Sequence, residues 1–175
     1  MKKHIQLLVN GALWEGEVKA GQTLLDLLRE EIGLTGAKKG CDSGECGACV
    51  VLLNGQPVNA CLVLAVDADG EAVTTIEGLR NDERARAIQE AFVQAGAVQC
   101  GFCAPGLIMA TWALLAQCPH PTEQEIKEAL IGHLCRCTGY VRIPEAVRQA
   151  AARLSGRKEV TGVGERIDRP ESSAD

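Results

Sequence analysis

The stretch Gly40-Cys41-Asp42-Ser43-Gly44-Glu45-Cys46-Gly47-Ala48-Cys49 decides how the chain is read. Its C-x4-C-x2-C spacing matches plant-type [2Fe-2S] centres. Cys61 supplies a fourth thiol beyond the turn signal Asn54-Gly55, which can fold it back toward the loop. Four thiolates around such a cluster leave net negative charge in both redox states, so backbone N–H groups must come close to sulfur. Gly40, Gly44 and Gly47 permit that approach, and their interleaving with three cysteines favours a cradle over a merely flexible loop.

A second constellation lies further along, in Cys100-Gly101-Phe102-Cys103 and Cys135-Arg136-Cys137. Each falls at a predicted helix boundary, so two loops at one end of a helical unit can supply four thiolates. A lone C-x-x-C also suits zinc or a redox dithiol. Beside the first loop, a second [2Fe-2S] cluster is the better reading. Cys118 is then left over as a bystander thiol, with nothing strongly basic near it in sequence to stabilise a thiolate.

Composition narrows the class. Nine cysteines with no secretory apolar run after Lys2 and Lys3 argue for metal ligation in a reducing cytoplasm rather than for disulfides. A net charge of −5 and 3% aromatic residues offer nucleic acid neither a basic surface nor stacking platforms. No apolar stretch reaches the roughly 18 residues of a membrane span.

The periodicity changes once. Ile5, Leu7 and Val9 alternate before the hairpin signal Asn10-Gly11, and Leu13 to Val18 return. Thr23 opens a short helix with Asp26 three residues on, and Gly33 stops it. Strands are predicted at Val50 to Leu53, Val58 to Leu62 and Val73 to Ile76. After Glu77 to Asp82 the pattern is helical: Ile88, Ala91, Phe92 and Ala95 before Gly96, Pro105 to Gln117, a helix from Thr122 and Glu125, and Pro144 to Leu154. Four short helices suggest a bundle. The expected fold class is α+β, with residues 1–78 and 79–155 as two domains. Residues 156–175 form a polar tail expected to be mobile or partner-bound.

The motifs Gly40 to Cys49, Gln99-Cys100-Gly101-Phe102-Cys103-Ala104-Pro105-Gly106 and Leu134-Cys135-Arg136-Cys137-Thr138-Gly139-Tyr140 occur in this order. Through them the chain resembles the iron-sulfur (small) subunits of the xanthine dehydrogenase and molybdenum hydroxylase family, over about residues 4–154. The resemblance implies a plant-type ferredoxin (β-grasp) domain, then an all-α four-helix bundle, with Cys41, Cys46, Cys49 and Cys61 on one [2Fe-2S] cluster and Cys100, Cys103, Cys135 and Cys137 on the other. It implies a large molybdopterin-binding partner and a medium FAD-binding partner in a heterotrimer that can dimerise. It also places Gln99 and Cys137 against the pterin, and the second cluster nearer molybdenum. Ala104 and His133 depart from the threonine and asparagine common in the family, and neither change removes a ligand. His133 is expected as a supporting or surface residue, Phe92 and Trp112 as core, and Tyr140 beneath the second cysteine loop.

The implied role is an electron relay in an oxidoreductase complex that hydroxylates a carbon centre with oxygen from water. This chain itself carries out no bond chemistry. Two alternatives use the same cysteines: a free-standing two-cluster ferredoxin, and a zinc-stabilised interaction module.

Overall fold

The computed structural model describes residues 2–156; the expectation of a mobile or partner-bound tail lies, from residue 157 on, outside the described residues. The first half is a five-stranded mixed sheet in the order β2-β1-β5-β3-β4. The strands are β1 Lys2–Val9, β2 Ala12–Lys19, β3 Val50–Leu53, β4 Gln56–Asn59 and β5 Ala72–Thr74. β1 alternates as expected and buries Ile5, Leu7 and Val9. Asn10 and Gly11 take φ of 52° and 82°, and Asn54 and Gly55 take 50° and 81°. Positive φ at both central residues is what a two-residue turn matched to strand twist requires.

Helix α1 (Leu24–Asp26) is capped by Thr23, whose hydroxyl accepts the Asp26 N–H at 3.1 Å. It widens into π-type turns over Leu27–Glu31 that bury Leu27 and Leu28. Two strand expectations shift. β4 ends at Asn59, so Cys61 sits in the turn beyond it, and Ile76 opens a 3-10 turn instead of ending β5. Pro57 fits because β4 is the sheet edge, where a missing N–H costs no ladder bond.

The second half carries α2 Glu83–Gln94, α3 Ala104–Gln117, α4 Glu123–Ala129 and α5 Arg142–Leu154. With α1 the described residues hold five α-helical segments, one of them beneath the sheet, so the architecture is a mixed sheet followed by a helical part. α5 begins two residues before Pro144, which lies in its first turn. α2 and α5 face each other through Ile88, Ala91 and Phe92 on one and Ala146, Val147 and Ala150 on the other, all fully buried. Trp112 is only partly buried; its indole N–H donates to Asp82 at 2.9 Å while the same carboxylate caps α2 through Ala85 N–H.

β3 explains how the halves join. Successive strand residues face opposite sides. Val51 therefore enters the core under the sheet, whereas Val50 and Leu52 enter a second core with Leu79, Ala85, Met109 and Ala113 from the helical part. That is why Val50 to Leu53 reads as an unbroken apolar run.

Candidate metal centre

The loop of residues 40–49 wraps around its own first thiol. Cys41 Sγ accepts the backbone N–H of Ser43, Glu45 and Cys46 at 3.4, 3.3 and 3.4 Å. The Ser43 N–H is the largest of the influences that pull the Cys41 pKa down to about 6. Gly47, at φ 66°, reverses the chain between Cys46 and Cys49, and a Cβ at Gly40 would lie 2.7 Å from Cys46 Sγ. Gly44 also takes positive φ, beneath Leu62. Asn59 holds the loop to β4 by donating to the Gly44 carbonyl at 3.0 Å, and Lys39 ties it to α1 by pairing with Asp26 and Asp42 at 3.0 Å each. Cys49 and Cys61 are buried side by side, and burial raises the Cys49 pKa to about 12, with Cys61 as its nearest partner.

The second group is built the same way from different elements. Cys103 caps α3, and Cys135 and Cys137 stand on the loop before α5. Cys100 and Cys137 are exposed, with sulfurs 3.5 Å apart. Cys103 is raised to about 12 by burial and lies against Cys135. The Phe102 N–H lowers the pKa of Cys100. The Thr138 hydroxyl donates to Cys135 Sγ at 3.1 Å. Tyr140, half-exposed at φ 69°, receives the Cys135 N–H on its own hydroxyl at 3.1 Å. Tyr140 therefore shapes the loop through its oxygen as well as by packing. Gln99 is exposed beside Cys100.

Eight of the nine cysteines thus fall into four pairs, Cys41 with Cys46, Cys49 with Cys61, Cys100 with Cys137 and Cys103 with Cys135. Two thiolates on one tetrahedral metal, with bonds of about 2.3 Å, stand about 3.8 Å apart. The 3.5 Å between Cys100 and Cys137 suits that and is far from the roughly 2.0 Å of a disulfide. Paired sulfurs with N–H donors suit a binuclear iron-sulfur cluster, whereas zinc asks for four ligands about one point. Cys118 ends α3 away from both groups, its N–H bonded to Leu114.

The two groups abut. The Leu134 N–H donates to the Cys46 carbonyl at 3.0 Å, and the His133 ring packs against Gly47. Among the described residues neither ring nitrogen of His133 has a hydrogen-bond partner, and burial lowers its pKa. The Leu134 contact leaves no side-chain signal in the sequence, because an apolar residue makes it through its amide, whereas Thr138 acts through a hydroxyl three residues after Cys135.

Residues 7–76 match the model of the 2Fe-2S iron-sulfur cluster binding domain, and residues 75–148 match that of the [2Fe-2S] binding domain. The nicotinate dehydrogenase small FeS subunit of Eubacterium barkeri is 49% identical over 86% of this chain and 96% of its own length. The chain belongs to the iron-sulfur subunits of the xanthine dehydrogenase and molybdenum hydroxylase family. The xanthine dehydrogenase iron-sulfur-binding subunit of Escherichia coli O157:H7 is 45% identical over 82% of this iron-sulfur subunit and 91% of its own length. Among solved structures, quinoline 2-oxidoreductase from Pseudomonas putida 86 superposes with a TM-score of 0.81 at 40% identity, over 90% of this subunit and 99% of that chain. Aldehyde oxidoreductase from Desulfovibrio gigas gives 0.82 at 40% identity, over 89% of this subunit and 18% of that chain. No helix among the described residues is long and apolar enough to cross a membrane.

Proposed function

We propose that this subunit holds two [2Fe-2S] clusters and relays single electrons between a molybdopterin site on a large partner and FAD on a medium partner, within a cytoplasmic heterotrimer that can dimerise. Cys41, Cys46, Cys49 and Cys61 hold one cluster, and Cys100, Cys103, Cys135 and Cys137 hold the other. The observation that carries this reading is the set of four thiol pairs, each group with backbone or hydroxyl donors on its sulfurs. When bound, such a cluster takes up and releases one electron at a time, which divides a two-electron oxidation of substrate into single steps.

The chain's own residues then have separable tasks. The N–H groups of Ser43, Glu45 and Cys46 stabilise negative charge on Cys41, and Thr138 does the same for Cys135. Burial of Cys49, Cys61 and Cys135 keeps water from the inner sulfurs. Cys100 and Cys137 stand exposed with Gln99, so the second group faces outward, as an approach to a pterin on the large partner requires. The first group adjoins the FAD-bearing partner. Residues 1–78 act as a ferredoxin-like domain and 79–155 as a four-helix bundle domain. The complex hydroxylates a carbon centre with oxygen from water.

The test is anaerobic isolation of the intact complex. Two irons for each group of four thiols, two distinct paramagnetic signals after reduction and co-purification with two larger subunits are expected. A colourless, zinc-bearing protein overturns the cluster reading. A coloured protein that purifies alone favours a free-standing ferredoxin.

A further inference from the structure

Where the halves meet, two backbones touch. Gly106 stands in the first turn of α3, three residues after Cys103. A Cβ added there would lie 2.1 Å from the Gly47 carbonyl oxygen and 3.3 Å from Ala48 Cα. Both are backbone atoms of the segment between Cys46 and Cys49, so no side chain can swing aside. The Gly47 carbonyl is itself held by the Val50 N–H at 3.3 Å. Glycine is a poor helix former, and the φ of Gly106 is not in the left-handed region. Close approach, not backbone conformation, therefore accounts for glycine at this place.

The same segment is gripped from the other side, where the Leu134 N–H donates to the Cys46 carbonyl at 3.0 Å directly ahead of Cys135. Both strands of chain that supply the second thiol group are thus pressed onto the first. We propose that Gly106 is a positioning residue that sets the spacing between the two thiol groups, by allowing α3 to rest on the Gly47 backbone. This rests on the two-cluster reading above. A methyl group at residue 106 must push α3 off the loop, lengthening the gap an electron crosses while leaving all eight thiols in place.

The experiment compares Gly106→Ala with Gly21→Ala, whose added methyl meets nothing within 4 Å. Both are made in the full chain and loaded anaerobically with iron and sulfide. Iron content is read first, then the magnetic splitting between the two reduced clusters, which falls with the cube of their separation. Gly106→Ala is expected to keep the parent's iron and lose splitting, and Gly21→Ala to match the parent in both. Parent-like splitting in Gly106→Ala overturns the proposal, and so does a parent chain that holds both clusters without splitting. Loss of a cluster or an insoluble Gly106→Ala also counts against it, because the contact then serves assembly, not spacing. A parent that binds no iron removes the cluster reading itself.

Discussion

Cys100 is the residue whose removal separates the two thiol groups most cleanly. It belongs to the outer, exposed pair of the second group, and no hydrogen bond links it to the loop of residues 40–49 among the described contacts. If the chain holds the two clusters proposed, Cys100→Ser is expected to halve the iron per chain, abolish electron flow from the proposed molybdopterin-bearing partner and leave the paramagnetic signal of the first group unchanged. Loss of both signals would mean that the two groups assemble as one unit. All eight thiols were legible as spacing in the sequence. Their pairing was not, because Cys49 meets Cys61 only after a hairpin closes, and Cys100 meets Cys137 only after the two intervening helices, α3 and α4, fold back.

Among the elements, those with local chemistry were legible and those set by tertiary contacts were not. α4 shows the first kind. The Thr122 hydroxyl accepts the Glu125 N–H at 3.2 Å while the Glu125 carboxylate accepts the Thr122 N–H at 2.6 Å, the reciprocal cap that the T-x-x-E pattern announces. A helix of seven residues has little else to hold its start. Thr122→Ala should cost about 1 kcal/mol, visible as a lower urea midpoint with an unchanged slope. An unaltered midpoint would show that Ile126, buried at the helix centre, anchors α4 alone. β4 shows the second kind. The apolar residues from Val58 to Leu62 suggest a later strand, but the two-residue turn at Asn54-Gly55 fixes pairing of Leu53 with Gln56, and the strand is over by Asn59. Likewise nothing in Leu24 to Glu31 announces the change from α to π turns.

For the molecule as a whole, the apolar seam between β3 and α3 makes stability a shared property. Met109 is fully buried there among Val50, Leu52, Leu79, Ala85 and Ala113. Met109→Ala should cost about 2–5 kcal/mol. The two tryptophans, Trp14 in the sheet and Trp112 in α3, report the halves separately when each is read in a chain with the other changed to phenylalanine. Both probes are expected to record the same loss, and a Trp14 transition left where it was would show that the sheet stands independently. The change of periodicity after Glu77 falls between the last strand, β5, and the first helix of the second half, α2. It could not disclose the seam, because one strand serving two cores looks the same in sequence as one serving a single deep core.

β3 starts one residue after Cys49, and α3 starts one residue after Cys103. The strand and the helix packed across the seam therefore each begin at a thiol, one from each group. The joint resembles a hinge welded shut at its pin. Any rocking of one half against the other is damped at the place where an electron would cross. With two clusters as proposed, the passage is a fixed gap, not a chance meeting of tethered modules, and thickening the solvent should leave its speed untouched.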